Sequence, residues 1–462
     1  MSENRPNVVF VFGDQWRAQA TGYGRDPDVR TPNMDRLRAE CADFVNAVSG
    51  CPVCSPYRGS LITGQYPLTH GVFLNDVPLR QEGPSIAECY REAGYETAYI
   101  GKWHLDGHGR SAYIPPERRQ GFGFWRGFEC SHSYNESYYY ADECREKKQW
   151  DDYDAFSQTR EAIRYLEERD AASPCLLFLS WGPPHSPYGT APAEYRRMYD
   201  PAELTLPPNV PEDCEQRARE TLAGYYAHVT ALDAALGWLI DALDEQGMVE
   251  ETILVVTSDH GDMVGSRGAW DKQRPYDESV RVPFLLRFPA ALGREPRRLE
   301  APIDAPDIMP TLLSLCGLPV PETVEGLDYA DYLRGGPNPG DDAALLQCPS
   351  PFGNWPRQRG GREYRGVRTT RHTYVRDLEG PWLLFDNERD PYQLDNLVDR
   401  PEEAELQAEM ERRLRGKLEA VGDEFLPAEA YLERWGYEVD ERGCITAIDG
   451  APVPGAAGYT QK

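Results

Sequence analysis

A short segment that holds two cysteines carries the clearest chemical signal in this chain. Cys51 and Cys54 stand three residues apart, and Ser-Pro-Tyr-Arg58 follows Cys54 directly. A structural zinc site needs two further ligands at similar spacing, and none follows here. A redox pair usually lacks the proline and arginine that come after these cysteines. Both of these interpretations stay open at this point, as does a purely structural cysteine buried at the start of a helix.

Polar side chains with catalytic or metal-binding chemistry follow four predicted strands. Four segments are predicted strands: 8–12, which is a continuous apolar run, and 96–100, 175–181 and 252–257. In the same order, they lead into Asp14-Gln15, Lys102 and His104, His185, and Asp259-His260. Lys102 and His104 stand two residues apart on an extended segment, so both can face one site. Because ligands bind beyond the carboxyl ends of the strands in an open α/β sheet, we expect these groups to meet at one edge.

The elements between these strands are predicted helices. Amphipathic or capped helical patterns cover residues 32–41, 55–63, 84–93, 154–169 and 215–246. Pro32 suits the first turn of its helix. Strands that alternate with helices predict an α/β fold with a mostly parallel sheet covered on both faces.

The C-terminal quarter has a different pattern. Residues 335–361 are rich in Pro, Gly and Asp and are predicted to be a linker. This linker is followed by predicted short antiparallel strands over 364–368, 372–375 and 382–385 and by a helix over 401–418. The tail after Phe425 is predicted to be irregular. We therefore predict two domains, residues 1–345 and a small α+β domain with its tail over 346–462.

Composition limits the partners of this chain. The 49 Lys and Arg against 76 Asp and Glu give a net charge of −27, which repels nucleic acid and anionic membranes. An anionic substrate would therefore require positive charge collected locally at the site. The N-terminus lacks a basic region followed by an apolar leader core, and no apolar run reaches about 18 residues. We expect a cytoplasmic protein whose eleven cysteines are reduced, although a native leader could have been removed.

The cysteine segment resembles the signature of the sulfatase family. Cys54 to Arg58 fits the pattern Cys-x-Pro-x-Arg, the match continues to Pro67, and the resemblance covers roughly residues 5–420. Tyr57 departs from the Ser that is more frequent there. The resemblance implies an alkaline-phosphatase-like α/β sandwich with a small C-terminal antiparallel domain. It also implies that a maturation enzyme oxidises Cys54 to formylglycine.

The resemblance further implies how the modified residue would act. A formylglycine hydrate carries two hydroxyls on one carbon, of which one attacks sulfur and the other later expels sulfate. Arg58, one helical turn from Cys54, can hold the charged hydrate. By resemblance, Lys102 binds sulfate and hydrate oxygens, and His104 is the base that releases sulfate. His185 would bind sulfate and help to protonate the leaving oxygen.

The resemblance adds a metal and two weaker substrate contacts. Asp14, Gln15, Asp259 and His260 are the implied ligands of one divalent cation, together with the oxygen of modified Cys54. Oxygen ligands favour Ca²⁺, and the imidazole leaves Mn²⁺ or Mg²⁺ open. Lys272 would neutralise the leaving group, and Asn75 would contact substrate.

The implied activity is hydrolysis of sulfate esters. The aromatic residues within 106–153 could stack on sugar rings or belong to the core, and we favour a sulfated carbohydrate, monomeric or oligomeric, as substrate. The alternatives are a phosphonate monoester hydrolase or phosphodiesterase, which shares the Asp14-Gln-Trp-Arg17 form, and an arylsulfatase with the same site. An inactive binding homologue would follow if Cys54 stayed a thiol. A homo-oligomer is compatible with this chain.

The two cysteines are predicted to respond differently to substitution. Cys54→Ala should abolish activity because it removes the nucleophile, whereas Cys51→Ala should leave activity largely intact. Peptide mass spectrometry of active protein should show Cys54 oxidised to the aldehyde. Equal losses from the two substitutions would instead favour a paired-cysteine site.

Overall fold

A computed structural model describes residues 5–24, 26–80 and 82–454 of the chain. The first ten strands form one large sheet. They are β1 (Asn7–Asp14), β2 (Ala42–Phe44), β3 (Glu96–Lys102), β4 (Phe124–Phe128), β5 (Tyr138–Ala141), β6 (Lys148–Gln149), β7 (Cys175–Pro184), β8 (Thr252–Ser258), β9 (Phe284–Arg287) and β10 (Arg297–Leu299). Their order across the sheet is β10-β2-β9-β8-β1-β7-β3-β4-β5-β6.

The centre of this sheet is parallel. β1 pairs in parallel with both β7 and β8, and β3 pairs in parallel with β7 and β4. Antiparallel pairs occur towards the two edges, where β9 joins β8 to β2 and β5 joins β4 to β6. The predicted mostly parallel α/β fold is therefore confirmed.

Helices cover both faces of the sheet. They are α1 (Pro32–Arg38), α2 (Cys54–Thr63), α3 (Pro67–His70), α4 (Ile86–Glu92), α5 (Asp154–Glu168), α6 (Ala193–Arg196), α7 (Glu215–Glu245), α8 (Asp277–Val280), α9 (Pro289–Leu292), α10 (Ala305–Leu315), α11 (Ala330–Leu333), α12 (Ala404–Ala420) and α13 (Ala428–Arg434). No helix in the described ranges is both long and apolar enough to cross a bilayer.

Strand β1 shows why both faces need cover. Val8, Phe10 and Phe12 belong to one hydrophobic core, and Val9 and Val11 belong to the core on the opposite face. Successive side chains of a strand point to opposite faces, so a strand that is apolar at every position must be buried on both sides. The continuous apolar run of β1 follows from this central position.

The C-terminal region holds two smaller antiparallel sheets. β11 (Ala343–Cys348), β12 (Tyr364–Thr369), β13 (His372–Asp377) and β14 (Pro381–Asp386) form one sheet, and β15 (Tyr437–Val439), β16 (Ile445–Ile448) and β17 (Ala451–Pro452) form the other. The predicted small antiparallel domain is confirmed. The proposed division of the chain at residue 345 stays a prediction.

Two predictions for this region were wrong. The segment 335–361 is not purely a linker, because it contains β11, whose backbone pairs with β12. The tail after Phe425 is not irregular, because it forms α13 and the three-stranded sheet. Its aromatic residues pack into the main core, where the rings of Tyr431 and Tyr437 lie 6.3 and 5.5 Å from that of Phe73. This long-range burial orders a segment whose own pattern is weak.

Candidate active site

Four adjacent strands deliver the predicted site residues to one edge of the sheet. In the order β8-β1-β7-β3, the strand ends carry Asp259 and His260, Asp14, His185, and Lys102. The expectation that these polar clusters meet at the carboxyl ends of parallel strands is confirmed.

Cys54 lies at the centre of this edge, as the first residue of α2. Its Sγ is 3.1 Å from Nζ of Lys272, 3.3 Å from Nε2 of His260 and 3.6 Å from Oδ1 of Asp14. Burial and Asp14 raise the pKa of this thiol, but Lys102, Lys272 and His260 outweigh them and hold the pKa well below its usual value. The sulfur stands in for the oxygen that an oxidised Cys54 would place here.

Four groups around Cys54 could hold a metal ion. The ligand atoms of Asp14, Cys54, Asp259 and His260 all lie within 4.8 Å of one another, and all four residues are buried. Nδ1 of His260 donates to the carbonyl of Gly261 at 2.9 Å, since a carbonyl can only accept. Nε2 is thereby left to face both carboxylates, each 3.5 Å away. In a metal-binding histidine, the ring nitrogen that does not bind the metal usually donates a hydrogen bond of this kind.

The charges of this group fit a cation. Burial raises the pKa of Asp259, and repulsion from Asp14 raises it further. Two carboxylates and one imidazole form a donor set for a divalent cation, which would offset this repulsion. The residues therefore fit a divalent metal ion.

Arg58 binds the carboxylates of this group. Its guanidinium donates to Oδ2 of Asp259 at 3.0 Å and to Oδ2 of Asp14 at 3.4 Å, and it lies 4.9 Å over the ring of Phe12. A further nitrogen donates to the carbonyl of Lys102 at 2.6 Å. Arg58 thus contacts the ligands, and its predicted role in holding a hydrate stays a prediction.

Lys102 points its ammonium at Asp14, and a glycine makes this approach possible. Nζ of Lys102 forms a short ion pair with Oδ2 of Asp14. Burial lowers the pKa of Lys102, but attraction to Asp14 outweighs it and leaves the pKa raised. Gly101 has φ +108°, and a Cβ there would lie 2.0 Å from the carbonyl oxygen of Ser180. Only glycine allows β3 to lie this close to β7.

Gln15 links the metal group to Lys272. Its Oε1 accepts from Nζ of Lys272 at 3.1 Å, and its Nε2 donates to Oδ2 of Asp262 at 2.7 Å and to the hydroxyl of Tyr188 at 3.2 Å. These contacts direct the amide towards Lys272, and the assignment of Gln15 as a metal ligand stays a prediction.

His185 is buried beneath a second histidine. The rings of His132 and His185 stack with centroids 4.3 Å apart and an interplanar angle of 5°. Nδ1 of His185 donates to the carbonyl of Ser186 at 2.9 Å, which leaves Nε2 for a ligand. Burial lowers the pKa of His185, and Lys272 and His132 lower it further.

His104 is paired with a carboxylate that the sequence had not indicated. Its Nε2 lies 3.3 Å from Oδ1 of Asp76, and Arg110 donates to both oxygens of Asp76 at 2.9 and 2.8 Å. The neighbouring Asn75 turns the other way, and its Oδ1 accepts from the backbone N–H of Ser55 at 3.1 Å. Asn75 therefore supports the start of α2, and its predicted contact with substrate stays a prediction.

Several residues of the site were not found from the sequence. They are Asp76, Arg110, Cys130, Tyr188 and Asp262, and His132 was considered only for sugar stacking and not for its contact with His185. Asp262 and Tyr188 could have been suspected, since they stand within three residues of His260 and His185. For His132, no spacing indicates that its ring would reach His185.

The assembled site suits a tetrahedral anion. Lys102 and Lys272 collect positive charge beside Asp14 and Cys54, and His104 and His185 add ring nitrogens close to the same lysines. In a chain with a net charge of −27, this is the local positive charge that an anionic substrate requires.

Comparisons with known proteins agree with this chemistry. The sulfatase family profile matches residues 6–318, and the N-sulphoglucosamine sulphohydrolase C-terminal profile matches residues 265–420. An ulvan-active sulfatase of Formosa agariphila is 45% identical over 94% of this chain and 85% of its own length. An endo-4-O-sulfatase of Bacteroides thetaiotaomicron is 30% identical over 94% of this chain and 95% of its own.

A solved structure shares the fold over almost the whole chain. It comes from work on the metabolism of multiple glycosaminoglycans by Bacteroides thetaiotaomicron and superposes with a TM-score of 0.84 at 29% identity. The match covers 93% of this chain and 99% of that chain.

The metal group predicts a selective loss of bound ion. Asp259→Asn should lose the metal, because it removes one of two charged ligands. Asp262→Asn is the matched control: it alters an aspartate three residues away that binds Gln15 and Tyr188, and it should keep the metal. Elemental analysis of the purified proteins tests this, and a full equivalent of metal in Asp259→Asn would place the ion elsewhere.

Proposed function

Since this chain belongs to the sulfatase family and is a sulfuric ester hydrolase, we propose that it removes sulfate from carbohydrates after Cys54 is oxidised to formylglycine. The observation that carries the proposal is the position of Cys54. Its side chain lies among Lys102, Lys272 and His260 and beside two buried carboxylates. A maturation enzyme that oxidises Cys54 is the partner that this proposal requires.

The proposal includes one bound cation, for which we favour Ca²⁺ over Mn²⁺ or Mg²⁺. Asp14, Asp259, His260 and residue 54 would hold it. When bound, such an ion polarises a sulfate oxygen and favours ionisation of the nucleophile. The carboxylate oxygens support calcium, and the imidazole of His260 keeps the other two ions in consideration.

The lysines and His185 act on the substrate. Lys102 contacts Asp14 and Lys272 contacts Cys54, and from these positions they can offset negative charge on the sulfate and on the leaving oxygen. Nε2 of His185 is the nitrogen available to donate a proton to that oxygen. Lys272 and burial hold the pKa of His185 low, and a bound sulfate ester would oppose the effect of Lys272 and so favour the protonated ring.

A carbohydrate substrate is supported by relatives and by partly exposed aromatic residues. One relative is named for activity on ulvan, and the matched structure comes from work on glycosaminoglycans. Of the aromatic residues considered for sugar stacking, Trp125 and Tyr134 are buried in the core, whereas Tyr113, Tyr138 and His132 reach the surface. The partly exposed residues are the ones that could contact a sugar ring.

A substrate panel separates this proposal from its alternatives. Protein produced with the maturation enzyme should release inorganic sulfate from at least one defined sulfated sugar, with a higher kcat/KM than it shows on an activated aryl sulfate. Phosphonate monoesters and phosphodiesters should be poorer substrates. A preference for those phosphorus esters would favour the phosphonate monoester hydrolase alternative, and no turnover of any ester would favour an inactive homologue.

The effect of His185→Ala should depend on the leaving group. A sugar alkoxide needs a proton to leave and a nitrophenolate does not, so we expect a loss of roughly 10² to 10⁴ in kcat/KM on sugar sulfates and a much smaller loss on nitrophenyl sulfate. His108→Ala is the control, because His108 is half-exposed and pairs with Asp106. Equal losses of kcat/KM on both ester types would show that His185 does not act as the general acid.

A further inference from the structure

The two ring nitrogens of His104 have different surroundings. Nε2 lies 3.3 Å from Oδ1 of Asp76, whereas Nδ1 makes no geometrically defined hydrogen bond to a described residue, and the sulfur of Cys130 is the other group that acts on the ring. The side chain is almost fully buried, with 1% of the residue exposed. An unpartnered nitrogen on a buried ring is costly unless a ligand meets it.

Asp76 is itself held in place. Arg110 donates two hydrogen bonds to its carboxylate, at 2.9 and 2.8 Å. Burial raises the pKa of Asp76, but His104 and Arg110 outweigh burial and keep the pKa below its usual value. Because the carboxylate is ionised, it can only accept, so the hydrogen between it and a neutral His104 must sit on Nε2.

The surroundings of His104 also favour its protonated form. Burial and the charge of Lys102 lower the pKa of His104, but the negative charge of an ionised Cys130 and the hydrogen bond to Asp76 outweigh them and raise the pKa well above its usual value. A doubly protonated ring cannot accept a proton, so His104 must first be neutral to act as a base, and the raised pKa makes that neutral ring a stronger proton acceptor.

We propose that Asp76 is a positioning residue that takes the Nε2–H of His104, so that Nδ1 is the nitrogen that accepts a proton during turnover. Arg110 acts behind it by fixing the carboxylate. This inference rests on the proposed function. The family resemblance implied only that His104 is a base, and the inference adds its partner residue, its tautomer and the nitrogen that accepts the proton.

The backbone conformations of Asp76 and His104 indicate that the surrounding structure imposes the positions of both residues. Asp76 has φ +65° and His104 has φ +59°, in the left-handed region that residues other than glycine seldom adopt. Such a conformation is strained and persists where the surroundings impose it. In His104, the backbone carbonyl accepts from the hydroxyl of Ser55 at 2.7 Å, which ties this turn to the start of α2.

The proton transfer can be written with all atoms accounted for. The O–H bond of the free hydroxyl on the carbon of residue 54 breaks, and its proton passes to Nδ1 of His104. The O–H electron pair forms the C=O bond, while the C–O bond to sulfate breaks and its pair leaves with the sulfate. Asp76 then faces an imidazolium, which its negative charge stabilises.

A second aspartate offers a matched control. Asp106 is also buried, accepts two hydrogen bonds from Arg118 at 2.6 and 3.1 Å, and lies 3.3 Å from a ring nitrogen of His108. The side chain of His108 is 51% exposed, so this pair has the same chemistry with its histidine at the surface. Asp106→Asn therefore removes an equivalent ion pair without touching His104.

The kinetic test separates positioning from general damage. Asp76→Asn should lower kcat on a sulfated sugar by roughly 10²-fold and leave KM within about twofold, because the loss falls on proton transfer and not on binding. In a His104→Ala background, Asp76→Asn should cause no further loss, since the two residues act as a unit. Asp106→Asn should change neither constant by more than about twofold. Additive losses from Asp76→Asn and His104→Ala would overturn the proposal.

A spectroscopic test uses the unconverted protein with Cys54 intact. In ¹⁵N-histidine-labelled protein, the signal that His104→Ala removes should show the Nε2–H tautomer when the ring is neutral. Asp76→Asn should shift that signal, and Asp106→Asn should leave it in place. An Nδ1–H tautomer in the wild type, or no shift in Asp76→Asn, would overturn the proposal.

The two tests also distinguish this inference from the proposed function. A wild type that releases no sulfate from any ester contradicts the proposed function, whatever the spectra show. A wild type that turns over, together with an Asp76→Asn variant of unchanged kcat, contradicts only the role of Asp76.

Discussion

Two buried carboxylates held side by side are the constraint on which the rest of this site depends. Asp14 and Asp259 end neighbouring parallel strands, and both are fully buried. Like charges in a low-dielectric interior repel strongly, so the fold must supply cations around them. Arg58 bridges the pair from α2, and Lys102 reaches Asp14 from β3. The same need for compensation makes the group suitable for a divalent ion.

This electrostatic balance also places the nucleophile. Arg58 and Cys54 belong to one turn of α2, so the guanidinium that binds the carboxylates fixes the helix end that carries Cys54. The carbonyl of Lys102 and the hydroxyl of Ser180 accept from the same guanidinium, which ties α2 to β3 and β7. One arginine thus joins three elements, and this explains why the cysteine and its arginine occur at fixed spacing.

A second network surrounds the first and governs the histidines and Lys272. Gln15 and Asp262 hold Lys272 beside Cys54, Asp76 holds His104, and His132 stacks on His185. The partners of the rings decide which nitrogen faces inward. Rings held at Nδ1 by a carbonyl, as in His260 and His185, present Nε2, and the carboxylate partner of His104 reverses that choice.

The sequence by itself determined the sheet, its parallel centre and the convergence of four polar clusters. One shared site is predicted because parallel strands bring their carboxyl ends to one edge of the sheet. The predicted strands are followed there by Asp14, Lys102, His185 and Asp259. The short signature around Cys54 was also sufficient for the family, since all of its residues lie within one local segment.

Only the tertiary structure decided the partners of these residues. Asp76 and His104 are 28 residues apart, and the tail that holds Tyr431 and Tyr437 packs on Phe73 more than 350 residues earlier. Such contacts leave no periodic pattern in the chain, because each depends on how distant elements dock. For the same reason, the orientation of Gln15 towards Lys272 and the order of the C-terminal segment could not be read from local sequence.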